Sequence, residues 1–189
     1  MESLPNLFRI AARVQGVLKA AGVESIAIGG LAVAIWGEPR LTRDVDLKVL
    51  LKREQADRLL TSLPPEYRRL SPEPEDTLRR LGFLFVADAT GIRVDLLLAE
   101  TGFDVEAIAR GRQVEATAGE TVAVCTPEDL IIYKIISTRS RDHDDVPGIL
   151  RRQRTLDDDY ITSWLLQFEQ ALDDSTLIRS YKRMRSANA

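Results

Sequence analysis

The chain has 189 residues, 44% of them hydrophobic, enough for one folded domain or a domain with a helical appendage. Charged residues make up 29%, and 26 basic against 29 acidic side chains leave a formal charge of −3, which argues against a protein coating nucleic acid through a broad basic surface. A single cysteine, Cys125, excludes an intrachain disulfide, and with one histidine it also excludes a structural zinc site of the usual nitrogen–sulfur kind. The opening residues MESLPNLFRI lack the basic flank and apolar stretch of a signal peptide, and no apolar run approaches the roughly 20 residues of a membrane span. The expectation is a cytoplasmic protein with no membrane partner.

In chain order, Leu7 to Ala21 places apolar side chains at helical spacing, and Gly22 follows as a cap. Ser25 to Ile28 reads as a short strand ending in Gly29-Gly30, and Leu31 to Trp36 resumes a helix that Gly37-Glu38-Pro39 breaks. Asp44 to Leu51 alternates polar and apolar residues as a half-buried strand does. Arg53 to Leu63 predicts a helix, and the segment around Pro64, Pro65, Pro72 and Pro74 a loop. Gly82 to Ala87 and Ile92 to Leu98 flank a turn at Asp88-Ala89-Thr90-Gly91 and predict an antiparallel hairpin. Phe103 to Gly111 reads as a helix and Thr121 to Val124 as a last strand. Thr126-Pro127-Glu128-Asp129 has the signature of a helix start, with threonine as N-cap and proline at the first position. From there the pattern is helical through Leu130 to Thr138, about Asp142 to Arg152, Asp157 to Leu172 and Ser175 to Met184. The layout is α+β, with a sheet core over residues 1–125 and a helical region over 126–189.

The chemistry concentrates in Ile28-Gly29-Gly30-Leu31, Arg40, Thr42 and Asp44-Val45-Asp46. A strand that delivers two glycines to a helix N-terminus leaves backbone amides open to phosphate. Residues i and i+2 of a strand share a face, so Asp44 and Asp46 present their carboxylates side by side. Such a pair repels itself until a divalent cation joins it, and magnesium or manganese suits hard oxygen ligands. Asp95, in Arg93-Val94-Asp95-Leu96, is the candidate third carboxylate. Three carboxylates can hold two metal ions for in-line nucleotidyl transfer, with Asp95 on the acceptor side. Arg40, just ahead of the acidic strand, is a candidate phosphate contact.

Gly29-Gly30, followed by Arg-x-Thr-x-Asp-x-Asp and a lone strand aspartate, resembles the nucleotidyltransferase superfamily of the DNA polymerase β fold. The pattern is most similar to the minimal nucleotidyltransferases, which include the AbiE-type effector toxins of toxin–antitoxin systems. That resemblance implies a core of mixed sheet and flanking helices, a nucleoside triphosphate substrate, and an acceptor hydroxyl on tRNA, protein or a small molecule. It also implies an antitoxin partner. The family usually carries Gly-Ser after the first strand, whereas this chain has Gly30 and then Leu31. The Gly-Gly form is found among aminoglycoside and lincosamide adenylyltransferases, so an antibiotic acceptor is the alternative. A non-catalytic binding module of the same fold is the third reading. In Pro127-Glu128-Asp129-Leu130, Lys134, Arg139, Asp142 and Asp145 the chain resembles the toxins' helical motif. There the resemblance implies that Lys134 reaches the triphosphate and that Asp145, or Asp142, belongs to the active site.

The remaining features have plainer readings. His143 sits in a solvated helix start, and Cys125 is a small buried apolar residue. Trp164, Leu165, Phe168 and Leu172 are core or partner-helix surface. Arg151-Arg152-Gln153-Arg154 and Lys182-Arg183-Met184-Arg185 are solvated basic faces, able to guide an RNA acceptor by phosphate attraction.

Overall fold

Alternation along Asp44–Val49 sets the frame of the fold: Val45, Leu47 and Val49 are fully buried, while Asp44, Asp46 and Lys48 stay half-buried on the opposite face. The computed structural model describes residues 3–117 and 119–188. Two compact units form, one from the chain up to Leu31 with Leu41–Cys125, the other from Ala32–Arg40 with the chain from Thr126 onward.

The first unit is built on a mixed sheet. Its strands are β1 (Ser25–Ala27), β2 (Asp44–Val49), β3 (Arg68–Arg69), β4 (Phe83–Ala87), β5 (Arg93–Leu98), β6 (Arg112–Thr117) and β7 (Glu120–Val124). The order across the sheet is β3-β4-β5-β2-β1-β7-β6, with β2 parallel to β5, β1 parallel to β7, and every other pair antiparallel. Helix α1 (Leu4–Ala20) packs on β1, β2, β6 and β7 through Leu7, Phe8, Ile10, Ala11, Val14 and Leu18. Gly22 follows it at φ 68°, a left-handed position that glycine takes without strain. Gln15 is the polar exception on that helix: its amide donates to the Ala123 carbonyl (2.8 Å) and accepts from the Ala123 N–H (2.9 Å), tying α1 to β7.

Two sequence expectations need correction here. The proline segment is not all loop, because α4 (Pro74–Leu81) forms within it, after α3 (Ala56–Ser62). Pro74 opens the helix rather than breaking it, since the first helical N–H has no partner to lose; Glu75 and Asp76 then suit the first turn, and Gly82 at φ 73° ends it. The second is β6, read as no element because Arg112–Thr117 is a polar edge strand that, among the described residues, pairs with β7 alone. The Arg53 to Leu63 helix begins with a 3-10 turn at Arg53–Gln55 before α3. Helix α5 (Gly102–Ala109) starts on a reciprocal cap in which Asp104 N–H donates to Thr101 Oγ1 (3.0 Å) and Asp104 Oδ2 accepts from the Thr101 N–H (3.2 Å).

Helix α2 (Gly29–Trp36) begins in the first unit, and its residues from Ala32 belong to the second. The second unit adds α6 (Pro127–Ile136), α7 (Ser140–Arg152), α8 (Asp158–Leu172) and α9 (Leu177–Ala187). The expected start of α6 is present: Thr126 caps it, Pro127 is at the first position, and Asp129 completes the capping box while accepting from Tyr160 Oη at 2.6 Å. Helix α6 packs against α7, α8 and α9 through Leu130, Ile131 and Ile135. Gly37 and Gly148 let the segment after α2 lie against α7, since a Cβ at Gly148 would come within 3.2 Å of Glu38 Cβ and one at Gly37 within 2.9 Å of Ile149 Cγ1. Arg152 donates to the Gly37 carbonyl at 2.6 Å and Gln153 to that of Trp36 at 2.8 Å, closing the same contact.

Candidate active site

Strand β1 ends at Ala27, two residues before Gly29, which turns the chain at φ 59° into α2. A Cβ on Gly29 would overlap the Asp46 carboxylate, reaching its Cγ at 2.8 Å. One on Gly30 would overlap the Thr42 hydroxyl and approach Thr42 Cβ at 2.7 Å. The two glycines are thus required sterically: they let Asp46 and Thr42 lie directly on the backbone of the strand-to-helix turn. Thr42 is buried, and its hydroxyl donates to Asp44 Oδ1 at 3.2 Å, orienting the first carboxylate.

The parallel register pairs Asp46 with Asp95 and Asp44 with Arg93. Neighbouring positions on paired strands share a face, so Asp95 joins the two β2 carboxylates. One ligand oxygen from each of Asp44, Asp46 and Asp95 lies within 4.8 Å of the others, the spacing of groups that share a divalent cation. The donor set is all hard carboxylate oxygen, which fits magnesium or manganese.

Arg93 was absent from the sequence-derived candidates. It is two residues before Asp95 on the same strand face, and its guanidinium forks onto both Asp95 oxygens at 2.5 and 2.8 Å. The guanidinium also sits 4.0 Å from the centre of the Phe85 ring. Its hydrogen bonds to Asp95 hold Arg93 above its ordinary pKa against partial burial, with the charges of Asp95, Asp44 and Asp46 adding to the effect. The Arg-x-Asp spacing was the available signal, since period two puts both side chains on one face.

The helical-unit candidates form their own cluster. Arg40 forks onto Asp145, Nε to Oδ1 at 2.6 Å and a terminal nitrogen to Oδ2 at 2.9 Å. Lys134 Nζ lies 2.9 Å from Asp145 Oδ2 and also pairs with Asp142. Ser137 Oγ donates to Asp142 at 2.6 Å, and His143 Nε2 donates to the Ser137 carbonyl at 2.7 Å, so the half-buried histidine braces the start of α7. Burial pushes the Asp142 carboxyl up, but the hydrogen bonds from Lys134 and Ser137 and the charges of Lys134 and Arg139 outweigh it, leaving the pKa below the ordinary value. Lys134 and Asp145 side chains are each 5% exposed. The structure therefore gathers the sequence candidates into two sets: Gly29, Gly30, Thr42, Asp44, Asp46 and Asp95 in the sheet unit, and Arg40, Lys134 and Asp145 in the helical unit.

The sheet that carries these carboxylates is that of a nucleotidyltransferase fold, and the chain is a member of that superfamily. More narrowly, residues 7–178 match the family described as nucleotidyl transferase of unknown function (DUF2204), and the chain belongs to it. Among solved structures it is similar to an antigenic nucleotidyltransferase-like protein from Paracoccidioides brasiliensis, with 17% identity, 92% of each chain covered and a TM-score of 0.54. It is also similar to the antibiotic-resistance factor ANT(2'')-Ia, with 14% identity over 98% of this chain and 92% of that one and a TM-score of 0.52. At these identities the likeness is one of fold. No curated protein matches the chain significantly. No helix among the described residues is long and apolar enough to cross a membrane.

Proposed function

We propose that the protein moves a nucleoside monophosphate from a nucleoside triphosphate to an acceptor hydroxyl, with Asp44, Asp46 and Asp95 holding magnesium or manganese. The observation that carries this reading is the convergence of three carboxylates from two strands within 4.8 Å, one of them seated on the glycine turn. Bound divalent cations would neutralise the carboxylates and the phosphate charge and polarise the reacting oxygens. The start of α2 at Gly29 and Gly30 offers backbone amides to the phosphates, the glycines make room for Asp46 and Thr42, and Thr42 keeps Asp44 oriented through its hydroxyl. The acceptor oxygen bonds to the α-phosphorus, the bond to pyrophosphate breaks, and the hydroxyl proton passes to Asp95 on the acceptor side. Lys134, Arg40 and Asp145 retain the nucleotide-binding role that the resemblance implies, as part of the same proposal.

Incubation with each labelled triphosphate, magnesium or manganese, and in turn total RNA, protein extract or an aminoglycoside and lincosamide panel tests the reading. Label on any acceptor in the wild type, lost in Asp46→Ala with an unchanged fold, is the expected result. Transfer that survives Asp46→Ala would sink it. Label on RNA or protein would favour the toxin-like assignment and its antitoxin partner; label on an antibiotic would favour the resistance enzyme. Absence of triphosphate and metal binding would leave a non-catalytic module.

A further inference from the structure

Across the carboxylate-bearing face, the sheet carries one row of residues per register step. Asp46, Asp95 and Phe85 form one row over β2, β5 and β4; Lys48, Leu97 and Phe83 form the next; Asp44, Arg93 and Ala87 the one on the other side. Leu70 extends the first row, its N–H donating to the Phe85 carbonyl at 2.9 Å, and it is 38% exposed. Beyond Asp95, away from the glycine turn, this face carries Phe83, Phe85, Leu97 and Leu70, with Arg93 and the exposed Arg68, paired with Ala87, along one side. Phe83 and Phe85 stack there with ring centres 4.5 Å apart and planes 21° from parallel, and the Arg93 guanidinium lies over Phe85 at 4.0 Å. Phe83, Phe85 and Arg93 occupy successive rows and make a layered stack, with the Arg93 side chain 46% exposed at its end.

In-line transfer requires the attacking and leaving oxygens to lie on opposite sides of the reacting phosphorus. With the pyrophosphate end on the glycine turn beside β1, the acceptor reaches the phosphorus from the β5–β4 side. It then rests on the Phe83–Phe85–Arg93 stack. We propose that this stack is the acceptor subsite, and that its ligand is a nucleotide whose planar base takes the next layer while its phosphate meets Arg93. The inference rests on the nucleotidyl-transfer reading above. Aromatic rings and arginine planes both stack bases, and the cation complements a phosphate. An aminoglycoside offers no planar aromatic system to add a layer, so the subsite selects against that acceptor class.

The test finds which of the four α,β-methylene nucleoside triphosphates binds with manganese, saturates the donor site with it, and titrates in a tetra-adenylate RNA, free AMP or tobramycin, followed by calorimetry. Wild type should bind the RNA or AMP and not tobramycin. Phe85→Leu, which keeps apolar bulk and loses the π face, should weaken that binding about tenfold. Phe85→Trp should bind more tightly than wild type, a gain that a purely structural role would not produce. Donor binding should be equal in all three. Much tighter binding of RNA than of AMP assigns the ligand to an RNA end, and equal binding to a free nucleotide; either supports the subsite. Donor binding without any binding of RNA or AMP, or equal affinity of Phe85→Leu and wild type, overturns the subsite and leaves the transfer reading standing. Failure of the wild type to bind any of the four manganese–nucleotide donors overturns both.

Discussion

Replacing Lys134 by methionine removes the cation at the centre of the helical unit's charge cluster while keeping most of its apolar stem. In the native arrangement Nζ sits between Asp142 and Asp145, with side-chain exposures of 5% for Lys134, 5% for Asp145 and 18% for Asp142. Without it, Asp145 keeps the Arg40 fork and Asp142 keeps the Ser137 hydrogen bond. Breaking a buried ion pair from one side costs about 3–5 kcal/mol, because a charge is left without its compensation. The partners that remain put this site near the lower end, ~3 kcal/mol. A chain of this size loses about 2–4 °C in Tm per kcal/mol, so the melting temperature should fall by roughly 6–12 °C. Circular dichroism melting measures it, with the exposed Lys182→Met on α9 as a control expected within about 0.5 kcal/mol of wild type. Adding Asp142→Asn to Lys134→Met should recover part of the loss by discharging the orphaned carboxylate. A Lys134→Met protein melting within about 2 °C of wild type would refute the cluster as a stabilising element.

The remaining predictions concern pH and the glycine turn. Because the Asp142 pKa is depressed in the folded protein, its contribution to stability is complete above about pH 4 and is lost as pH falls through the lower folded value. Urea unfolding between pH 5 and 2.5 should show a shallower decline in Asp142→Asn; identical pH profiles would contradict the assignment. Gly29→Ala carries both the left-handed backbone cost, about 1–2 kcal/mol, and a Cβ in the place of the Asp46 carboxylate. It should weaken manganese binding by at least tenfold, read by titration of the ion's paramagnetic signal. Gly91→Ala, at φ 87° with open space around it, should show the backbone cost alone and unaltered manganese binding. Equal manganese affinity in the two variants would detach Asp46 from the cation site.

Much of the sheet unit was legible because its signals are local. The period-two alternation of Asp44–Val49 fixes which side chains share a face, and that by itself sets Asp44 beside Asp46. The hairpin of β4 and β5 follows from two apolar runs around Asp88-Ala89-Thr90-Gly91, and the start of α6 from threonine, proline and acids in sequence. Helix α4 was hidden because proline is a breaker inside a helix and an opener at its first position, a difference that one residue of offset decides. Polar β6 was hidden because an edge strand with one partner need not show an apolar face.

Composition, periodicity and motif spacing determined by themselves an α+β chain with a glycine strand-to-helix turn and paired carboxylates. What only the tertiary structure decided are the relations between distant residues. The parallel register of β2 and β5 brings Asp95 to Asp46, and the antiparallel register of β4 and β5 brings Phe85 to Asp95. Arg40 and Asp145, 105 residues apart, meet in one fork, and Ala32–Arg40 joins the C-terminal helices rather than the sheet. Such pairings depend on which surfaces the whole chain buries together, and that is a property of the packed fold, not of any window of residues within it.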